Sequence, residues 1–174
     1  VAMVPDEVRA LVDYCDERSL PLWLVSEQRS RFNYHFNDRV PVVMAEIHTE
    51  IPKRCDLHTM LQEPVVKAVM FLTAQEVREG PLSFMPHARS TQWFIHGQDI
   101  IPAEGGKLPA MRFMAEANGW TPDELMAFGD SENDNEMLRY AGTGVAMGNA
   151  LEETKAASDY VTDDCDDEGV AHAL

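Results

Sequence analysis

The six residues Gly129-Asp130-Ser131-Glu132-Asn133-Asp134 place three carboxylates, an amide and a hydroxyl directly after an apolar run, Leu125-Met126-Ala127-Phe128. Such a run reads as a short buried strand, and in an open parallel sheet ligands bind at the carboxyl ends of the strands. Asp130 would sit at such an end, with Gly129 letting the backbone turn sharply before it. A carboxylate there supplies the hard oxygen that magnesium prefers. Asn133 and Asp134 follow within one helical turn, close enough to face the same crevice. The segment also has a plainer reading. Ser131 with Asp134 fits a helix capping box, and acids at a helix amino terminus stabilise it by about 0.3–1 kcal/mol.

Lys107 follows Gly105-Gly106 at the start of a helical pattern. A cation at the positive end of a helix is mildly unfavourable. A negative group beside it, either the carboxylates of a metal site or a bound phosphate, would explain the placement. A solvated surface lysine is the alternative, at a cost of a few tenths of a kcal/mol by the same principle.

Two kinds of chain must position these groups. In the first half, Val8, Leu11, Val12 and Cys15 carry the three-and-four spacing of an amphipathic helix over Pro5 to Arg18. Leu20 to Val25 and Phe32 to Phe36 read as strands, Val40 to His48 as a helix, and Val65 to Leu72 and Thr91 to His96 as further strands. Helix, two strands, helix, strand, helix, strand predicts a small α+β domain with a mostly antiparallel sheet. The second half changes rhythm. Lys107 to Asn118 reads as a helix with Leu108, Met111, Met114 and Ala115 towards one side and Gly119 as its stop. Leu125 to Phe128, Thr143 to Met147 and Asp159 to Thr162 then alternate as strands with helices ending at Tyr140 and Ala157. That pace implies parallel pairing with right-handed crossovers. The change of rhythm falls near Gly97 to Ile101, giving an expected division into 1–97 and 98–174.

Composition narrows the partners. A net charge of −16 argues against nucleic acid, yet one metal ion and one lysine can invert the sign locally and admit a small phosphorylated substrate. Asp163, Asp164, Asp166, Asp167 and Glu168 read as a solvated run. No apolar run approaches the roughly 18 residues of a membrane helix, and the amino terminus lacks the pattern of a secretory signal. Cys15, Cys55 and Cys165 are odd in number and in no ligand spacing, so a reduced, cytoplasmic protein is the expectation.

Lys107, then Gly129-Asp130-x-x-Asn133-Asp134, then Gly144-Val145-Ala146-Met147-Gly148-Asn149-Ala150 and Asp159-Tyr160-Val161-Thr162 resemble the Cof-type branch (subclass IIB) of the haloacid dehalogenase superfamily. The order and spacing match over Asp99 to Leu174. The resemblance implies an α/β fold in which residues 98–174 are the carboxyl-terminal half of a Rossmann-like parallel-sheet core. Residues 1–97 then look like the substrate-covering α+β cap (C2-type), with Asp99-Ile100-Ile101-Pro102 as the return from cap to core. It implies a magnesium-dependent phosphatase of small phosphomonoesters such as sugar phosphates. Lys107 would neutralise the nucleophile and the transferred phosphoryl group, Asp130 would ligate Mg2+, and Asp134 would support the metal directly or through water. Asn133 would help orient the site and contact the phosphate, and Gly129 would shape the turn. Arg29, Arg31, His35, His87 and Arg89 are polar candidates in cap loops, each better read as an ordinary surface residue.

The same family attacks phosphorus with an aspartate of an Asp-x-Asp-Gly motif that closes the first core strand, forming an aspartyl-phosphate. No such motif follows an apolar strand here, and Asp164-Cys165-Asp166 has the spacing but lies in the acidic tail. Ser26, after Leu22-Trp23-Leu24-Val25, imitates the family's second motif but falls where a cap strand is expected. The expectation is therefore that the nucleophile lies outside this chain, that the chain alone is inactive, and that it self-associates or pairs with the absent core segment. Two other functions compete. One is the phosphorylation domain of a cation-pumping ATPase, which shares the Gly-Asp-x-x-Asn-Asp and Gly-Val-Ala-Met-Gly pattern. The other is a non-catalytic remnant that binds a phosphorylated ligand or a partner.

Overall fold

A computed structural model describes all 174 residues. The chain divides into two compact units, Val1–Glu104 and Gly105–Leu174.

The first unit contains α1 (Pro5–Glu17), β1 (Leu22–Ser26), β2 (Ser30–Phe32), α2 (Arg39–Glu46), β3 (Val65–Met70), α3 (Ala74–Glu79), β4 (Ala88–Phe94) and β5 (Gly97–Pro102). Its strands form one sheet in the order β2-β1-β3-β5-β4, antiparallel at every pairing. Strand side chains alternate between faces, so register decides what each face buries. Leu24 pairs with Ala68 and Ala68 with Ile100. These three meet Val8, Leu11, Val12 and Cys15 of α1 in one buried cluster. One residue along, Trp23 pairs with Phe32 and with Val69, and this opposite face packs against Val40, Val43 and Met44 of α2. Each fully buried aliphatic side chain contributes about 1.5–3 kcal/mol.

The sequence differs from the structure in two places here. The strand expected over Phe32 to Phe36 ends at Phe32, because the Asn33 side chain takes over the bonding: its Oδ1 accepts from the Leu22 N–H at 3.1 Å and its Nδ2 donates to the Leu20 carbonyl at 2.8 Å. The chain then turns away. Gly97–Pro102, where the rhythm was read as changing, is itself a strand paired with β3 and β4. Residues 98–104 therefore group with the first unit. Alternation across Gln98, Ile100 and Pro102 is masked by the polar Gln98 on the buried face, which is fully inaccessible.

The second unit contains α4 (Lys107–Asn118), β6 (Met126–Gly129), α5 (Asn135–Tyr140), β7 (Thr143–Ala146), α6 (Glu152–Lys155), β8 (Tyr160–Val161) and α7 (Gly169–Ala173). Its strands run parallel in the order β6-β7-β8. Gly119 closes α4 in the left-handed conformation, φ 70°, where a residue without Cβ carries no strain. The core is small: Ala127, Leu138 and Ala141 with Met111, Leu125 and Met137 against them, and a second group of Ala146, Met147 and Ala150 with Phe128. The apolar side expected on α4 is only partly realised. Ala115 is buried, but Met114 and its neighbour Phe113 are exposed.

Candidate active site

The apolar Ala127 and Phe128 bring β6 into the sheet, and its register against β7 puts Gly129 opposite Ala146. The strand ends there, at the carboxyl edge. Two backbone bonds hold the following turn: Met147 N–H donates to the Gly129 carbonyl at 2.9 Å, and Leu151 N–H donates to the Asp130 carbonyl at 3.0 Å. Asp130 is exposed on this turn.

Asp134 lies beneath it, with only 1% of its side chain accessible. A buried carboxylate is costly unless its lone pairs are used, and here both oxygens are. Oδ1 accepts from Lys107 Nζ at 2.5 Å. Oδ2 accepts from the backbone N–H of Asp130 at 3.1 Å and of Ser131 at 3.2 Å. One side chain thus joins the first residue of α4 to the turn after β6. Ser131 and Asp134 also form the reciprocal capping box that the sequence suggested. The capping role and the ion-pair role coexist on the same carboxylate.

Gly129 has a steric reason for its identity. A Cβ added there would lie 2.4 Å from Asp134 Cβ and 2.7 Å from its Cγ, closer than carbon atoms approach. Asn133 is half-buried, and its side-chain oxygen is buried without a hydrogen-bond partner. An acceptor in that state calls for a donor or a cation. Lys107 is half exposed, at 48%, so its ammonium can face both Asp134 and solvent. The structure therefore gathers Lys107, Gly129, Asp130 and Asp134 into one bonded cluster, with Asn133 between the last two in sequence.

Other residues singled out in the sequence lie elsewhere in the first unit and have local partners. Ser26 ends β1 and donates through Oγ to Glu63 at 2.8 Å. Arg29 pairs with Glu63, which lowers the glutamate's pKa chiefly through that hydrogen bond. Arg31 donates to the Ser30 carbonyl, His35 meets Asp16 at 3.0 Å and His87 meets Glu7 at 2.8 Å. Arg89 lies on β4.

The acidic tail is not merely solvated. Gly148 N–H donates to the Asp163 carbonyl at 3.0 Å, and Thr162 Oγ1 donates to the Gly169 carbonyl at 2.6 Å. The backbone of residues 163–169 therefore braces the loop after β7, although most of its carboxylates face water. Acidity alone gave no sign of this.

A model of the haloacid dehalogenase-like hydrolases matches residues 2–174. The chain belongs to that family. As a haloacid dehalogenase-like hydrolase of the Cof-type subclass IIB it superimposes on a subclass IIB sugar phosphatase, BT4131, with a TM-score of 0.86 and 29% identity, over 99% of this chain and 66% of the other. A protein from Geobacillus kaustophilus HTA426 gives a TM-score of 0.81 at 32% identity, covering 100% of this chain and 67% of that one. By sequence, YkrA of Bacillus subtilis (strain 168) is 29% identical over 167 residues, which are 96% of this chain and 64% of YkrA. This chain thus spans about two thirds of the length of these relatives. No helix in it is long and apolar enough to cross a membrane.

Proposed function

We propose that the cluster around Asp130 serves a magnesium-dependent phosphatase of small phosphomonoesters, sugar phosphates foremost, with the attacking carboxylate supplied from outside this chain. The observation that carries this reading is the junction at Asp134, which holds a lysine and a strand-end turn together at the carboxyl edge of a parallel sheet. Beyond the attacking carboxylate, phosphoryl transfer needs groups held in position and charge neutralised, and this junction is built to serve both. Support for the substrate class comes from family membership and from the sugar phosphatase BT4131.

The residues present suit magnesium. Asp130 offers an exposed carboxylate that takes no part in the junction, and Asn133 offers a buried oxygen with no protein partner. Both are the hard oxygen donors that this ion takes. When bound, the ion would neutralise charge on the phosphoryl oxygens. In this reading Asp130 is its ligand. Asp134, whose oxygens serve three donors, keeps Lys107 and the turn in place, and the lone pair left on Oδ1 lets it support the metal directly or through water. Lys107 donates to the substrate's phosphoryl oxygens while anchored to Asp134. Asn133 orients the turn and Gly129 leaves room for the anchor. The first unit is the cap that selects the leaving group.

Magnesium titration by calorimetry, with p-nitrophenyl phosphate turnover measured on the same preparation, tests these assignments. The chain should bind Mg2+, lose that binding in Asp130→Ala, and release no p-nitrophenol. Mg2+ binding untouched by Asp130→Ala would overturn the ligand assignment. Turnover by this chain would show that it contains its own nucleophile and overturn that part of the proposal.

A further inference from the structure

The sheet of the first unit ends differently at its two edges. At one, β2 is short and covered: the Phe32 N–H donates to the Lys53 carbonyl at 3.2 Å, and the Cys55 N–H donates to the Phe32 carbonyl at 2.9 Å. At the other, β4 pairs with β5 alone. The phase of that pairing fixes which backbone groups are left over. Ala103 N–H donates to the His87 carbonyl at 2.8 Å, one step outside the pair Ala88 and Pro102 in the same register. Antiparallel partners exchange bonds at every second residue, so Arg89 and Thr91 turn their backbone groups towards β5. Ala88, Ser90 and Gln92 turn theirs away. The Ala88 N–H is taken up by the Met85 carbonyl at 3.1 Å. Its carbonyl, and both backbone groups of Ser90 and of Gln92, form a regular row facing out from the sheet.

We propose that β4 is a contact between two copies of this chain, its strand pairing antiparallel with its own counterpart about a two-fold axis. Exposed edges are ordinarily blunted by short length, lysine, proline or a bulge. β4 is seven residues long and contains neither lysine nor proline. Its one register shift lies at the far end, between Gln92 and Phe94, and leaves the row regular. Charge selects the partner. With 30 acids and a net charge of −16, one copy repels another unless the contact avoids the acids. The 19 residues from Gly80 to Gln98 hold no aspartate or glutamate, only one arginine and two histidines, and β4 lies within them. Ile95, exposed just beyond the strand, adds apolar surface. An axis through Thr91 sets Ser90 of each copy opposite Gln92 of the other, where four N–H···O bonds form. It also holds the two Arg89 residues about 13 Å apart along the strands, beyond the reach of charge in physiological salt. One strand pair falls short of the roughly 1,200–2,000 Å2 of stable interfaces, so the contact is weak and concentration-dependent.

The surface lies wholly in the first unit and does not depend on the phosphatase reading. The test is amide hydrogen exchange of the whole chain, resolved residue by residue by NMR in dilute and in concentrated solution. The Ser90 and Gln92 amides should exchange at least about tenfold more slowly in the concentrated solution, while Leu24, in the interior of the sheet, keeps one rate. Ser90→Pro removes a donor on the outward side only, and it should abolish the concentration dependence at Gln92 while leaving the urea midpoint near that of the parent. Gln92→Glu puts an acid into the contact of each copy. It should weaken the concentration dependence at least about tenfold at low salt and recover part of it at high salt, and it decides the matter alone if the proline variant does not fold. Met126→Lys, on the edge strand of the second unit, is the control and should leave the protection of Ser90 and Gln92 intact. The proposal is overturned if those two amides exchange at the same rate at all concentrations. It is equally overturned if their concentration dependence survives in every variant of β4 that folds, or is lost in Met126→Lys.

Discussion

Asp134 shows how one buried carboxylate can organise a site. Its oxygens collect an ammonium and two backbone N–H groups, and its β-carbon occupies the space that any side chain at position 129 would need. Both neighbours are therefore sensitive to small changes. Gly129→Ala inserts one methyl group into a filled space and should cost about 1–3 kcal/mol, read as a lower urea midpoint, together with weakened Mg2+ binding. Asp134→Asn keeps the shape but turns an amide nitrogen towards one set of donors, leaving a buried group unmatched at about 1–3 kcal/mol. Lys107→Met should also lower the urea midpoint although the lysine itself is half exposed, because it leaves the buried Asp134 carboxylate without its counter-charge. If Gly129→Ala unfolds at the same urea concentration as the parent, the packing argument fails.

At the scale of elements, α3 is fixed through a single glutamate. Thr73 and Glu76 form a reciprocal capping box, and Glu76 also takes both guanidinium nitrogens of Arg39, at 2.7 and 3.2 Å, which ties α3 to the start of α2. The Arg39 hydrogen bonds are the main reason that the Glu76 pKa falls to about 2, with the Thr73 bonds adding to them. A carboxyl with a depressed folded-state pKa contributes stability that is complete above its unfolded value. That stability is lost as pH falls through the folded one. The contribution should thus be intact at pH 7, decline below the ordinary glutamate range near 4.5, and be gone below about 2. Urea midpoints of the parent and Glu76→Gln across this range should differ most at neutral pH and converge in acid. A constant gap would show that the ion pair is not the source.

For the molecule as a whole, the two units are unequally finished. The first has a five-stranded sheet covered by helices on both faces. The second has three short parallel strands, with β6 at an edge, and leaves Phe113, Met114, Trp120 and Met126 exposed. Parallel sheets are ordinarily buried, and an open edge beside exposed apolar groups favours association. We propose that the chain self-associates or takes up a further strand at this edge. The net charge of −16 opposes contact between copies, so self-association should strengthen as salt screens the repulsion. Sedimentation velocity should show a weight-average coefficient that rises with concentration and with ionic strength, and that falls in Phe113→Lys and Met126→Lys. A monomer throughout would sink the idea of contact between copies.

The sequence by itself determined the elements whose signals are local. The amphipathic spacing of α1, the apolar run that becomes β6 and the glycine that stops α4 were all legible, as were the residues of the strand-end turn, since each depends on neighbours within a few positions. Family membership was legible for the same reason, because its motifs are short and their order is fixed. Only the tertiary structure decided the rest. Gly97–Pro102 is a strand because β3 and β4 flank it, and a buried Gln98 hides that from hydropathy. That the Asp134 carboxylate also anchors Lys107, 27 residues earlier, shows only once the fold brings the two together. The meeting of Asp16 with His35 and His58 leaves no mark in the local spacing of the sequence. Contacts between segments tens of residues apart follow from how helices and strands pack, and no local spacing encodes them.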